Sequence, residues 1–378
     1  MHVLTDPIEI QQPPVLHFGD GTLARLAPWV AAQGHRRPFV VTGPGNAARL
    51  DLLGLGTPAC FAGAAPEPEL HDLAAAVRAA EAAEADLVIG YGGGSAMDLA
   101  KLVAVMAGQG LELDRISGPG RAPPRRAGLV QIPTTAGTGS ETGTRALVSD
   151  PATRAKIATE SPHMLADMAI VDPRLTHSVP PALTAATGLD ALAHCAEALT
   201  SKRAHPLVDT LALEGIALAG RYLARAVRDG ADAEARAGMA LASLRGGQCL
   251  GPVNTTAGHA LAYPLGTRAG LPHGLANALI FPHVLAANAA AAPQKTAQIA
   301  AALGLAGTGL AGAGDGLRDA AVAFCRGLGI EMSLGAHGVS RDALPQMAQE
   351  AHAIRRLMDW NPVDLSVADI RAIYDAAF

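Results

Sequence analysis

Aromatic side chains are scarce in this chain: six Phe, four Tyr and two Trp make only 3% of 378 residues, while 49% are apolar. A core with so few rings has to be filled by Ala, Leu and Val. That favours close-packed helices, alone or against a sheet, over an aromatic-rich β-sandwich. Charge of one sign is also lacking, since 29 Lys and Arg against 34 Asp and Glu leave −5. Such a balance, without a basic stripe, argues against a nucleic-acid or membrane-surface partner. The four cysteines, Cys60, Cys195, Cys249 and Cys325, lie far apart and form no CxxC pair. They read as buried thiols in a reduced, cytoplasmic compartment. The longest uncharged run, Thr296 to Gly314, holds five glycines and Gln298, so it predicts a short helix entering a loop and no transmembrane span. The N-terminal MHVLTDPIEIQQPP has no basic stretch leading into an apolar one, so nothing in it directs secretion.

Glycine and proline are abundant instead, at 42 and 26 residues, without the G-X-Y period of collagen and with too much apolar content for disorder. Up to about residue 175 they punctuate short β-type runs: Pro38 to Thr42, Asp86 to Gly90, Gly128 to Ile132 and Met168 to Val171. Helical stretches, clearest at Leu70 to Ala85 and Ser95 to Ala107, alternate with them, which predicts crossover units and a mainly parallel sheet. Beyond Pro180-Pro181 the β signals nearly vanish and Ala/Leu-rich helical spacing takes over. The chain is therefore expected to divide near residue 180, into an α/β domain (1–180) and an all-helical domain (181–378). Loops are expected at Gly251-Pro252, Gly266 to Pro272 and Gly304 to Gly316, and Pro181 suits the first turn of a helix.

Two turns carry chemistry in the first half. Gly92-Gly93-Gly94-Ser95 follows a strand and opens a helix expected to begin at Ala96 with Ser95 as its cap. Glycines let backbone approach a phosphate closely, and a helix N-terminus offers free N–H groups and a positive dipole end. Pro133-Thr134-Thr135-Ala136-Gly137-Thr138-Gly139-Ser140-Glu141 also follows a strand and is dense in hydroxyls. Each alone reads equally as a structural turn, the second with Ser140 capping the next helix. Together, at strand ends of a parallel sheet, they point to a nucleotide cofactor.

In the second half, Asp190 and His194 stand four apart on one helix face, interrupting an apolar Ala/Leu background. An unsatisfied carboxylate and imidazole would be costly there. They are either a hydrogen-bonded pair or part of a metal site. His259 and His273, in equally apolar surroundings on either side of a glycine-containing loop, complete a set of one carboxylate and three imidazoles. Such a set would hold a divalent cation with an open position. His283, beside Pro282, reads as a structural residue at a helix end.

With these motifs in order, GGGSAMDLAK (92–101), PTTAGTGSE (133–141), PPALTAATGLDALAHCAEAL (180–199), GHALAYPL (258–265), LPHGLANALIFPHV (271–284) and Asn361-Pro362, the chain resembles the iron-containing (group III) alcohol dehydrogenases along almost its whole length. The resemblance implies a dinucleotide-binding α/β half, akin to that of dehydroquinate synthase, a helical metal-binding half, and an active site in the cleft between them. It implies Fe(II), or Zn(II), on Asp190, His194, His259 and His273, and reversible hydride transfer between an alcohol or aldehyde and NAD or NADP. Gly92, Gly93, Gly94, Ser95, Asp98, Thr134, Thr135, Thr138 and Lys156 would contact the cofactor, and the enzyme would be a homodimer or higher homo-oligomer. His273 with Tyr263 would serve catalysis. Tyr263 stands where many members carry a second histidine, so proton delivery runs through its phenol or through water, or the ring merely packs. Gly43 replaces the usual Asp after the Val-Val-Thr strand, which removes a repulsion toward a 2′-phosphate; Arg49 is the nearest cation to attract one. Gly143 and Glu67 replace the usual Thr and Asn. Arg268, between two ligand histidines, either meets an acidic substrate group or is solvated, and solvation is the expectation. A maleylacetate reductase-like enzyme or a dehydroquinate synthase-like lyase stand as alternatives.

Overall fold

The apolar runs form strands that are buried on both faces, as parallel strands between helical layers must be. A computed structural model describes residues 4–153, 155–305 and 314–378. Its strands are β1 (Val15–Phe18), β2 (Pro38–Thr42), β3 (Ala59–Phe61), β4 (Leu87–Gly92), β5 (Gly118–Pro119), β6 (Gly128–Pro133), β7 (Arg145–Asp150), β8 (Ala155–Glu160) and β9 (Met168–Val171). Between them run α1 (Leu26–Gln33), α2 (Pro44–Ala47), α3 (Leu70–Ala82), α4 (Gly94–Met106) and α5 (Leu113–Ile116). Six strands make one sheet in the order β1-β9-β6-β4-β2-β3, and every pair in it is parallel.

Alternate residues face opposite layers. Phe39, Val41, Val88 and Leu129 pack with α3 and α4, whereas Val40, Ile89, Val130 and Ile132 pack with Leu26 and Val30 of α1. From β2 the chain passes outward to β3, and from β4 it turns the other way to β6 through α4. The carboxyl ends of β2 and β4 thus flank a topological switch point, where open α/β sheets bind ligands. A second sheet, β5-β8-β7, contains an antiparallel pair, Arg145–Asp150 with Ala155–Glu160. No strand is expected from the sequence over these residues.

By internal contacts the described chain forms two units, Ile10–Ser178 and Val179–Phe378, the second also taking residues 4–9. The second is helical among its described residues: α6 (Pro181–Thr200), α7 (Pro206–Arg228), α8 (Ala233–Leu250), α9 (Ala257–Ala269), α10 (His273–Asn288), α11 (Pro293–Ala302), α12 (Gly314–Gly327), α13 (Leu344–Ala353), α14 (Arg355–Met358) and α15 (Val367–Ala377). Pro181 is the first residue of α6, as its fixed φ suits. From Thr184 to Thr200 only Thr187 of α6 is not buried, because α7, α8 and α10 pack around it.

Several local expectations need correction. Ser95 does not cap α4; Gly93 does, and Ser95 is the second helical residue. α9 runs on through Gly266 to Ala269, leaving a loop of only three residues closed by left-handed Gly270. His283 lies inside α10 rather than at its end; it is buried and neither ring nitrogen makes a hydrogen bond. Cys60 is exposed, and the other three thiols are buried. Part of the loop expected over 304–316, residues 306–313, lies outside the described residues.

Within the first unit, burial pushes the Glu141 carboxyl up to about 7, against a backbone hydrogen bond and the nearby Lys101 charge. A folded carboxyl with a raised pKa keeps its proton while the unfolded chain releases one, so its contribution to stability falls as pH rises from the usual Glu range to about 7. Glu141→Gln is expected to flatten that fall. Urea unfolding at pH 5 and 7.5 measures it, and an unchanged slope would count against a buried, raised carboxyl.

Candidate active site

Helix geometry dictates the centre of the site. Asp190, His194 and Glu197 are spaced i, i+4, i+7 and share one buried stripe of α6. α9 brings His259 and the first turn of α10 brings His273. Asp190 Oδ1 lies 3.9 Å from His194 Nε2, 3.5 Å from His259 Nε2 and 3.7 Å from His273 Nε2. These separations are too long for hydrogen bonds, and His259 Nε2, buried, makes none. Donors bonded at about 2.1 Å to a tetrahedral cation stand about 3.4 Å apart, which is the spacing seen. Donor atoms of Asp190, His259 and His273 all lie within 4.8 Å of one another. His194 joins through Asp190, its ring stacked on that of His259 at 4.6 Å. The residues present therefore fit a divalent cation.

The electrostatics agree. Burial alone would raise the Asp190 carboxyl, but the surrounding imidazoles of His194, His273 and His259 hold it well below the usual carboxylate range. Burial opposes charge on His259, yet the Glu197 and Asp190 carboxylates push it up to about 10. The two carboxylates thus favour a proton on His259, which a bound cation would displace.

Two supporting residues were missed in the sequence. Glu197 Oε1 lies 2.6 Å from His259 Nδ1, and its Oε2 accepts from the Thr256 backbone N–H at 2.6 Å and hydroxyl at 3.1 Å. A carboxylate on Nδ1 assigns the donor role to Nε2, the nitrogen facing Asp190. Its signal was its i+7 place on the Asp190 stripe. Asn277, one turn after His273, donates from Nδ2 to Asp190 Oδ1 at 2.7 Å and lies 3.2 Å from His273 Nε2. The approach of α10 to α6 depends on Gly274, where a Cβ would stand 2.8 Å from the Ala186 carbonyl oxygen and 3.0 Å from its carbon.

The nucleotide turns leave adjacent strands at the same level, since Gly92 pairs with Pro133. The Thr134 N–H donates to Gly92 O at 2.9 Å, and its hydroxyl accepts from Asn46 at 3.1 Å. Thr135 lies beside Gly93, and a Cβ on Gly94 would meet Thr138 Cγ2 at 2.5 Å, so only glycine lets the second turn lie on the first. Gly43 ends β2 on the same side of the sheet, extended, with its Cβ direction toward Ala64 O. Asp98, by contrast, spends both oxygens internally: Oδ1 accepts from Ser140 Oγ at 2.6 Å and Oδ2 from Leu147 N–H at 2.9 Å. Fully buried Lys101 completes the clip, donating to Ser140 Oγ at 2.7 Å and Arg145 O at 2.8 Å. Ser140 thus binds α4 rather than capping a helix, and the following 3₁₀ turn is capped by left-handed Gly139. Lys156, on β8, is 2.5 Å from Glu67. Arg49 donates to Ser178 at 3.1 Å.

Arg268 is half-buried, and its charge is met by an acid of the same chain. It forms a bidentate pair with Glu350, Nε 2.6 Å from Oε2 and Nη2 on Oε1. Tyr263 is buried with its ring centroid 6.0 Å from that of His273, and its hydroxyl accepts from Arg356 Nη2 at 3.3 Å.

Two substitutions test the build of the centre. Glu197→Gln is expected to weaken metal binding by about 10- to 100-fold without loss of fold, measured by competition with a chelator alongside circular dichroism; unchanged affinity would remove the orienting role. Gly274→Ala is expected to push α10 off α6 at a cost of about 1 to 3 kcal/mol and to lower metal affinity as well. Thermal unfolding and metal content read both, and a neutral result would show that the close approach is dispensable.

Comparison with known proteins bears on the same elements. Residues 13–173 match the family described as iron-containing alcohol dehydrogenase, and residues 184–378 match the C-terminal region of the Fe-containing alcohol dehydrogenase family. Long-chain-alcohol dehydrogenase 1 of Geobacillus thermodenitrificans is 38% identical over 380 residues, covering 97% of this chain and 95% of that protein. A crystal structure of 1,3-propanediol oxidoreductase superposes with a TM-score of 0.92 at 31% identity, covering 99% of this chain and 100% of the other. A sulfoacetaldehyde reductase from Bifidobacterium kashiwanohense in complex with NAD+ superposes with a TM-score of 0.87 at 26% identity, covering 98% and 99%. The chain belongs to the iron-containing alcohol dehydrogenase family and is an oxidoreductase acting on alcohols.

Proposed function

We propose that this oxidoreductase transfers hydride reversibly between a nicotinamide dinucleotide and an alcohol or aldehyde, with Fe(II) or Zn(II) held by Asp190, His194, His259 and His273. The observation that carries the reading is the buried Asp190 carboxylate with three imidazole nitrogens 3.5 to 3.9 Å from one of its oxygens. A divalent cation there supplies Lewis acidity, polarising a carbonyl or lowering the pKa of a hydroxyl. The chain's own groups supply the rest. Glu197 holds the Nδ1 proton of His259, and Asn277 braces Asp190 and His273 together. Tyr263, against His273, passes the hydroxyl proton toward solvent.

In this reading the unit Ile10–Ser178 binds the dinucleotide and the unit Val179–Phe378 the metal. Backbone at Gly43, Gly92, Gly93 and Gly94, with Ser95, Thr134, Thr135 and Thr138, meets the cofactor. Asp98 shapes that surface through its clip to Ser140, and Lys156 flanks it. NAD is supported by the NAD+ complex of the superposable reductase. NADP is acceptable too, because Gly43 carries no charge to repel a 2′-phosphate. Free cysteines, one of them exposed, support a reduced cytoplasmic setting. Among the described residues no helix is long and apolar enough to cross a membrane. The proposal includes assembly as a homodimer or larger homo-oligomer.

A panel of alcohols and aldehydes assayed with NAD and NADP, after reconstitution with Fe(II) or Zn(II), tests the activity. His259→Ala is expected to lose both metal and turnover. Stoichiometric metal with normal turnover in that variant would overturn the assignment.

A further inference from the structure

The four residues of the centre differ in exposure. Asp190, His259 and His194 side chains are 2%, 3% and 5% exposed, whereas His273 is 22% exposed. His273 is thus the member of the cluster that meets solvent. The Tyr263 ring is tilted against that of His273 with 6.0 Å between centroids, and against Tyr263 lies Arg356, the second residue of α14, with its guanidinium carbon 5.5 Å from the ring centroid. Arg356 Nη2 donates to the Tyr263 hydroxyl at 3.3 Å, while Nη1 is buried and has no acceptor. Among the described residues no carboxylate pairs with Arg356. Arg268, in the last turn of α9, is by contrast neutralised by Glu350. An unpaired guanidinium with a buried, unused N–H is costly, and an oxyanion is the group that relieves it best, through a charge-assisted hydrogen bond.

We propose that Arg356 is a specificity-determining residue that binds an oxyanion at the far end of the substrate, which makes the preferred substrates short hydroxy acids and their aldehyde acids rather than simple alcohols. The steps of 6.0 Å from His273 to Tyr263 and 5.5 Å on to the guanidinium suit a substrate of a few carbons. The inference rests on the alcohol and aldehyde chemistry proposed above. In that chemistry the carbinol C–H leaves as hydride to the nicotinamide ring, the hydroxyl loses its proton, and the oxyanion is unchanged.

The test compares butanal with 4-oxobutanoate, and with the sulfonate 3-oxopropane-1-sulfonate, in wild type, Arg356→Gln and Arg356→Lys. Wild type is expected to prefer an anionic aldehyde in kcat/KM. Arg356→Gln should lose about 10- to 100-fold more on it than on butanal, with Arg356→Lys in between, and the sulfonate arm separates a general oxyanion site from a carboxylate site. Binding without turnover provides the second arm: metal-loaded protein lacking nicotinamide is titrated calorimetrically with 4-hydroxybutanoate and with butan-1-ol. Tighter binding of the hydroxy acid, abolished in Arg356→Gln, supports the site even where no aldehyde is reduced, an outcome that would sink the functional reading alone. Equal binding of the two by wild type, or equal losses on charged and neutral substrates in Arg356→Gln, would overturn it.

Discussion

A carboxylate buried at the middle of a helix with no Lys or Arg paired to it is the constraint on which the helical unit turns. Among the described residues, the side chains paired with Asp190 are three imidazoles and an amide. Removing an ionised carboxylate from water is tolerated only where the surroundings replace its solvation. α9 and α10 must therefore bring His259 and His273 to α6. The burial of α6 from Thr184 to Thr200, broken at Thr187, and the small residue at Gly274 accord with that requirement. Glu197 adds a second buried carboxylate, satisfied by Thr256 and His259, so the cluster carries its own rigid frame.

The glycine- and hydroxyl-rich turns of the first unit are built by the opposite means. Backbone is presented there where three adjacent parallel strands end, and Lys101 and Asp98 brace it from within. Lys101, Asp98 and Ser140 form a closed set that fastens the hydroxyl-rich turn onto α4. Asp98, in the second turn of α4, accepts from Ser140 through one oxygen and from the Leu147 N–H through the other.

Charge beside Tyr263 is set by pairing. Arg268 stands in the last turn of α9 and Arg356 lies against Tyr263 of the same helix, and Glu350 pairs with the first of them. The other stacks on Tyr263 with donor capacity left over. Composition cannot separate such residues, because pairing is decided by which helix, here α13, passes alongside.

Sequence alone determined the alternation of strand and helix, the change near Pro180-Pro181, the glycine turns and the Asp and His residues that break an apolar helix. These are local signals: period, turn chemistry, and polar residues in places where burial would penalise them. Tertiary packing decided which of those polar residues meet. It set the imidazole nitrogens around a single carboxylate oxygen and drew Glu197 onto His259. It also made the polar β7–β8 pair, turned Ser95 and Ser140 away from capping, and gave Arg268 an acid while leaving Arg356 without one. The physical reason is range. Backbone preference and hydrophobic period act over a few residues, whereas a hydrogen bond or ion pair between residues about 90 apart in sequence exists only once the helices carrying them have packed.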